Sequence, residues 1–170
     1  MKDLTDIFQN YLSELEKEGV VLKSRIKGWS QEQVEEIEKL FGVNIPLFYK
    51  LFVGALGEKS DLLIDGNEYE YNSNSVKEMN FYIKEYFDEI REEGGTIDED
   101  LFPGKPFFIL GRYATVFYFI VCEDEIDSKV YQFDSEIFLV NEACGSLMEF
   151  YEWLEEQAIN GIKSGVRRRY

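Results

Sequence analysis

Four β-prone runs crowd into residues 107–141 of a chain otherwise patterned as helix, and this constrains the fold more than any other feature. The runs are 107–110, 115–122, 129–133 and 137–141, rich in Phe, Tyr, Ile and Val, side chains that suit a pleated sheet. They are separated by Gly111-Arg112, by an acidic stretch around 123–127 and by Asp134-Ser135-Glu136. Parallel neighbours need a crossover of a dozen residues or more, and none of these connections holds one. The strands are therefore expected to run antiparallel.

Helical spacing governs most of the remainder. Leu4, Ile7, Phe8, Tyr11, Leu12 and Leu15 form one apolar stripe over residues 4–18 that stops near Gly19. Ser30 and Gln33 read as a capping box, Trp29 and Val34 as its hydrophobic staple, and Gly42 as a left-handed stop. Pro46 opens a short helix where its missing N–H costs nothing; Phe48, Tyr49, Leu51 and Phe52 supply its apolar contacts, and Gly54 and Gly57 then loosen the backbone. These two helices are expected to pack as a pair. Residues 62–71 set turn formers between two short β-prone runs, the pattern of a hairpin. Ser75 and Glu78 make a second capping box before Val76, Met79, Ile83, Tyr86, Phe87 and Ile90, a helix ending at Gly94-Gly95. A third box, Ser146 to Glu149, starts a final helix turning Leu147, Phe150, Tyr151, Leu154 and Ala158 inward. With three prolines, no repeat and no linker, residues 1–170 read as one domain of α+β class, a central, mostly antiparallel sheet with flanking helices.

The chain contains no histidine. That removes Ser-His-Asp and Cys-His nucleophile systems, the H-E-x-x-H zinc site and the commonest general base at neutral pH. Cys122 and Cys144 fall in no C-x-x-C pair and read as core fillers. The stretch Gly54-Ala55-Leu56-Gly57-Glu58-Lys59-Ser60 lacks phosphate-loop spacing, and Asp61 to Gly66, D-L-L-I-D-G, fails a calcium loop at its third position. No catalytic residue, metal ligand or cofactor is expected. The formal charge is −16, from 34 acidic and 18 basic residues, which repels nucleic acid and anionic membranes and attracts a basic protein. The N-terminal M-K-D-L-T-D-I-F-Q-N-Y-L is charged and amphipathic in place of an apolar signal core, so a cytoplasmic location is expected.

Two acidic runs are the candidate docking patches. One holds Glu85, Asp88, Glu89, Glu92, Glu93, Asp98, Glu99 and Asp100 against only Arg91; the other holds Glu123, Asp124, Glu125 and Asp127 in a strand-to-strand turn. Tyr69, Tyr71 and Tyr82 lie near them as candidate aromatic anchors. Arg167-Arg168-Arg169 reads as a frayed basic tail.

Residues 29–52, W-S-Q-E-Q-V-E-E-I-E-K-L-F-G-V-N-I-P-L-F-Y-K-L-F, resemble the opening signature of the SUKH superfamily, a helix of the form I-E-x-L-E-x-x-x-G followed by L-P-x-x-Y-x-x-F/L. The run ending in Val130-Tyr131-Gln132-Phe133-Asp134 and the closing helix with Trp153-Leu154 resemble it too, so the likeness covers most of the chain in order. The Asn-Gly usual after the third helix is represented only by Gly57 before Glu58. The fixed points Gly42, Pro46, Tyr49 and Phe52 are folding residues and mark no site. The resemblance implies a bacterial immunity protein that binds and neutralises a cognate toxin, frequently a nuclease, or else a non-catalytic regulatory scaffold of the Smi/Knr type.

Overall fold

The structure, a computed structural model, describes residues 4–64, 69–70, 72–94, 107–137 and 139–169. Its elements run α1 (Leu4–Lys17), β1 (Ile26–Lys27), α2 (Gln31–Phe41), α3 (Leu47–Leu56), β2 (Lys59–Ser60), β3 (Tyr69–Glu70), α4 (Ser73–Glu92), β4 (Phe107–Tyr113), β5 (Val116–Val121), β6 (Val130–Asp134), β7 (Leu139–Cys144) and α5 (Leu147–Lys163). β3 to β7 form a five-stranded sheet in chain order with every neighbour antiparallel, and β1 pairs with β2 in a separate small sheet. The α+β class and the antiparallel meander are as expected.

β5 is the centre of the molecule. Phe117 meets Tyr82 of α4 with ring centroids 6.1 Å apart, whereas Tyr118 meets Phe150 and Trp153 of α5 at 5.3 and 5.8 Å. Consecutive strand residues point to opposite faces, so α4 covers one face of the sheet and α5 the other. Phe117 to Val121 are accordingly all buried, a continuous apolar run where a one-sided sheet would alternate. α3 reaches the α5 side through Tyr49 against Phe108, 5.9 Å apart. Tyr151 ties the helices together: its ring stacks on Phe52 at 4.2 Å, its hydroxyl donates to the Phe48 carbonyl, and its own carbonyl accepts from the Tyr11 hydroxyl at 2.9 Å. Cys122 is buried against this core, which pushes its thiol up to about 12 and keeps it un-ionised.

The caps locate most helix ends. Ser30 and Gln33 form the expected box, and Gly42 takes φ 65°. Pro46 stands at the N-cap itself, one position before its expected place, and supplies no side-chain cap. α4 begins three residues early because Asn72, not Ser75, is its cap: the Asn72 side chain accepts from the Ser75 N–H. In α5 the Ser146 side chain accepts from the Glu149 N–H, while the Glu149 carboxylate accepts from the Gly145 N–H at 2.8 Å, so the box closes one residue outside its usual position.

Other expectations are corrected. α2 and α3 pack mainly on other elements: α3 lies against α1, β1 and α5, and α2 against α4. The charged link between α2 and α3 is Lys50 to Glu38 at 2.7 Å. Of the two glycines expected to loosen the backbone, Gly54 lies inside α3, which runs on to Leu56, and Gly57 is its C-cap. Gly111-Arg112 does not end β4, because a bulge between Ile109 and Gly111 absorbs the extra residue and the chain turns at Ala114, φ 51°. Among the described residues of 62–71, no two strands pair with each other as the expected hairpin would. β2 pairs backward with β1, β3 pairs forward with β4, and residues 61–64 form a turn; residues 65–68 and 71 lie outside the described residues.

That turn is held by the tail expected to fray. Arg167 is 8% exposed, and its guanidinium donates to the carbonyls of Leu62 and Leu63 at 2.9 and 2.7 Å. Arg169 pairs with Asp61 at 3.0 Å and donates to the Gly19 carbonyl at 2.6 Å. One guanidinium nitrogen, Arg167 Nη1, thus satisfies two carbonyls that a partner strand would otherwise take.

Where α5 passes α1, carboxylates crowd. Burial first, then Glu18, Glu14 and Glu152, holds the Glu155 carboxyl above its ordinary value. An acid with a raised folded pKa is less tolerated charged in the fold than in the unfolded chain. The penalty is present at neutral pH and vanishes as pH falls through the folded value. Glu155→Gln is therefore expected to raise the urea midpoint near neutral pH and to leave it unchanged below about pH 4, compared by parallel denaturation series.

Candidate binding surfaces

The acidic turn between β5 and β6 is built by two helix N-termini. α3 starts behind Pro46, which offers no side-chain cap, and its first N–H groups need acceptors. The Glu125 carbonyl accepts from the Leu47 N–H at 2.9 Å and the Ile126 carbonyl from the Phe48 N–H at 3.0 Å. From the other side, the Asp127 carboxylate accepts from the Leu147 N–H at 2.9 Å, the first turn of α5. Asp124 folds the turn on itself, accepting from the N–H groups of Ile126 and Asp127. Negative side chains beside two helix N-termini are electrostatically favoured. Asp124 and Asp127 therefore have structural work, while Glu123, Glu125 and Ile126 are left on the outer surface, Ile126 at 49% exposure.

Beside the turn lies an open cleft of about 340 Å³ lined by Glu123, Asp124, Asp127, Lys129, Tyr131 and Gly145. Its cation is engaged: the Lys129 ammonium donates to Glu142 of β7 at 2.7 Å. The cleft is acidic and open, suited to a cationic side chain. The apolar space between Tyr49, Phe52, Tyr118 and Tyr151 is only about 20 Å³, room for no ligand larger than water. Among the described residues, no group of three His, Cys, Asp or Glu is arranged to hold a metal ion. No helix among them is long and apolar enough to cross a membrane.

The second patch is the C-terminal half of α4. Glu85, Asp88, Glu89, Glu92 and Glu93 are all exposed, and Arg91 pairs with Asp88 at 2.8 Å. Tyr82, 49% exposed, stacks on Tyr86 at 5.8 Å, and the Tyr86 hydroxyl donates to the Ser135 carbonyl. Burial first, then Tyr82 and Glu89, raises the Tyr86 phenol, which stays protonated. Tyr69 sits in β3 opposite Tyr113. Tyr71, Asp98, Glu99 and Asp100 lie outside the described residues.

The structure does not merge the two patches. Phe87 meets Phe133 and Tyr86 reaches Ser135 at one end of β6, whereas the acidic turn joins the other end. The patches flank the β5–β6 hairpin at opposite ends. Sequence reasoning missed Phe81, half exposed beside Phe41 at 5.1 Å, and the exposed Ile126. Phe81 lies outside the stripe that names the buried face of α4, and that was its signal. No protein-family model matches the chain, and no curated protein matches it.

Proposed function

We propose that this chain is a non-catalytic, cytoplasmic immunity protein of SUKH type that binds and neutralises a cognate, basic, nuclease-type toxin through its acidic surface. The observation that carries the reading is the pairing of exposed carboxylates with exposed apolar anchors: Glu123 and Glu125 around Ile126, and Glu85 and Glu89 around Tyr82. An apolar anchor in a polar rim is the anatomy of a protein interface, and an acidic rim speeds encounter with a basic partner. The signature in residues 29–52 supports the family reading. Its fixed points do structural work here: Gly42 is the left-handed cap, Pro46 the N-cap of α3, and Tyr49 and Phe52 are core. The binding surface then belongs to the acidic segments outside that signature.

Charge reversal tests the reading. Glu89→Lys, Glu92→Lys and Glu93→Lys together, or Glu123→Lys with Glu125→Lys, alter exposed side chains and are expected to keep the circular dichroism and melting of the parent. Each set is expected to weaken toxin binding by about tenfold or more, chiefly through a slower on-rate in stopped-flow mixing. Unchanged binding by both sets, or indifference of the parent to about 0.5 M NaCl, contradicts the electrostatic mechanism.

A further inference from the structure

β7 closes one side of the sheet with an unpaired edge. Its inner side is bonded to β6, and among the described residues no backbone hydrogen bond reaches its outer side. Open edges are usually blunted by Lys, Pro, a bulge or a covering segment. The β7 sequence L-V-N-E-A-C has neither Lys nor Pro, and its one charge, Glu142, is held by Lys129. Among the described residues, the single blunting device is the register shift between Val130 and Tyr131 near its end. None of the six residues is fully buried, and the strand is entered past Ile137 and Leu139, which are 64% and 46% exposed.

The ends of β7 lie at the two acidic patches. Leu139 pairs with Asp134, next to Ser135, where Tyr86 of the acidic helix end donates its hydrogen bond. Cys144 pairs with Val130, and Gly145 lines the acidic cleft. A strand laid along β7 would run roughly 20 Å from one patch to the other. We propose that β7 is a docking edge that takes an extended segment of a basic partner protein as a sixth strand, with main-chain hydrogen bonds along the edge and cationic side chains at both ends. The inference rests on the reading of a basic protein partner and names how that partner is held. Charge selects this occupant over a second copy of the chain, since pairing β7 with β7 would set the acidic patches of two molecules of charge −16 against one another.

The test is a titration of the full chain with a synthetic basic peptide, acetyl-Lys-Arg-Thr-Val-Thr-Val-Thr-Val-Arg-Lys-amide. Its twins carry either N-methyl groups on alternate amides or Glu and Asp in place of Lys and Arg. The basic peptide is expected to bind and to slow hydrogen exchange at alternate β7 amides; N-methylation is expected to weaken it by roughly tenfold or more, and Leu139→Lys with Asn141→Lys by a similar factor. Equal binding of the N-methylated twin, or unchanged β7 exchange, overturns the strand-addition mode and leaves the acidic-surface reading standing. Equal binding of the acidic twin overturns the choice of a basic occupant. A dimer that forms without peptide and is dissolved by the Leu139→Lys variant overturns it in favour of a second copy.

Discussion

Gly28→Ala is expected to destabilise the fold by upward of about 4 kcal/mol. A Cβ on Gly28 would stand 1.7 Å from the Gly54 carbonyl oxygen and 2.2 Å from the Gly54 carbonyl carbon. Both are backbone atoms of α3, so no rotamer change relieves the clash. The segment is held there by the Trp29 N–H donating to the Val53 carbonyl at 2.7 Å and the Glu58 N–H donating to the Lys27 carbonyl at 2.8 Å. Making room for the methyl group breaks both and lifts Trp29 off the core. Gly54→Ala has the opposite sign. Its Cβ meets nothing within 4 Å inside a helix, so it is expected to gain about 0.5–1 kcal/mol. Urea denaturation of the two variants reads both effects, and a near-neutral Gly28→Ala would refute the close approach.

Arg167→Ala is expected to cost about 2–4 kcal/mol, because it strands two carbonyls that have no strand partner. Gly161 opposes the arginine stem so closely that an added Cβ would lie 2.8 Å from Arg167 Cδ, which shows how tightly α5 receives the side chain. Arg167→Met keeps most of the stem and loses the donors, so it is expected to recover little. Arg168→Ala, at an exposed position, is expected to stay within about 0.5 kcal/mol. Equal stability of all three variants would mean that the tail does not clamp the turn.

The elements legible in the sequence were those whose cause is local. The stripe of α1, the Ser30 box, the Gly42 stop and the inward face of α5 each depend on residues a turn or so apart, and each formed where read. The meander was legible because short connections leave antiparallel pairing as the only choice. The turn at 61–64 was not, because the side chains that clamp it, Arg167 and Arg169, lie more than a hundred positions away. Two-residue strands also carry no alternation to detect.

The site was legible as composition and not as arrangement. The acidic runs are plain in the sequence, and their members are exposed wherever the structure describes them, apart from half-buried Asp127. That Asp124 and Asp127 would be engaged in fixing a turn between two helix N-termini depends on α3 and α5 meeting that turn, which no local pattern encodes. The open edge of β7 follows only from knowing that the meander ends there.

The most direct measurement is growth of cells that make the product of the gene immediately upstream, with and without this chain, together with titration of the two purified proteins. Arrest without the chain, relief with it, and an affinity that weakens both in about 0.5 M NaCl and in the charge-reversed variants is the expected result. Absence of both protection and a complex, or a complex indifferent to salt and to charge reversal, would contradict it.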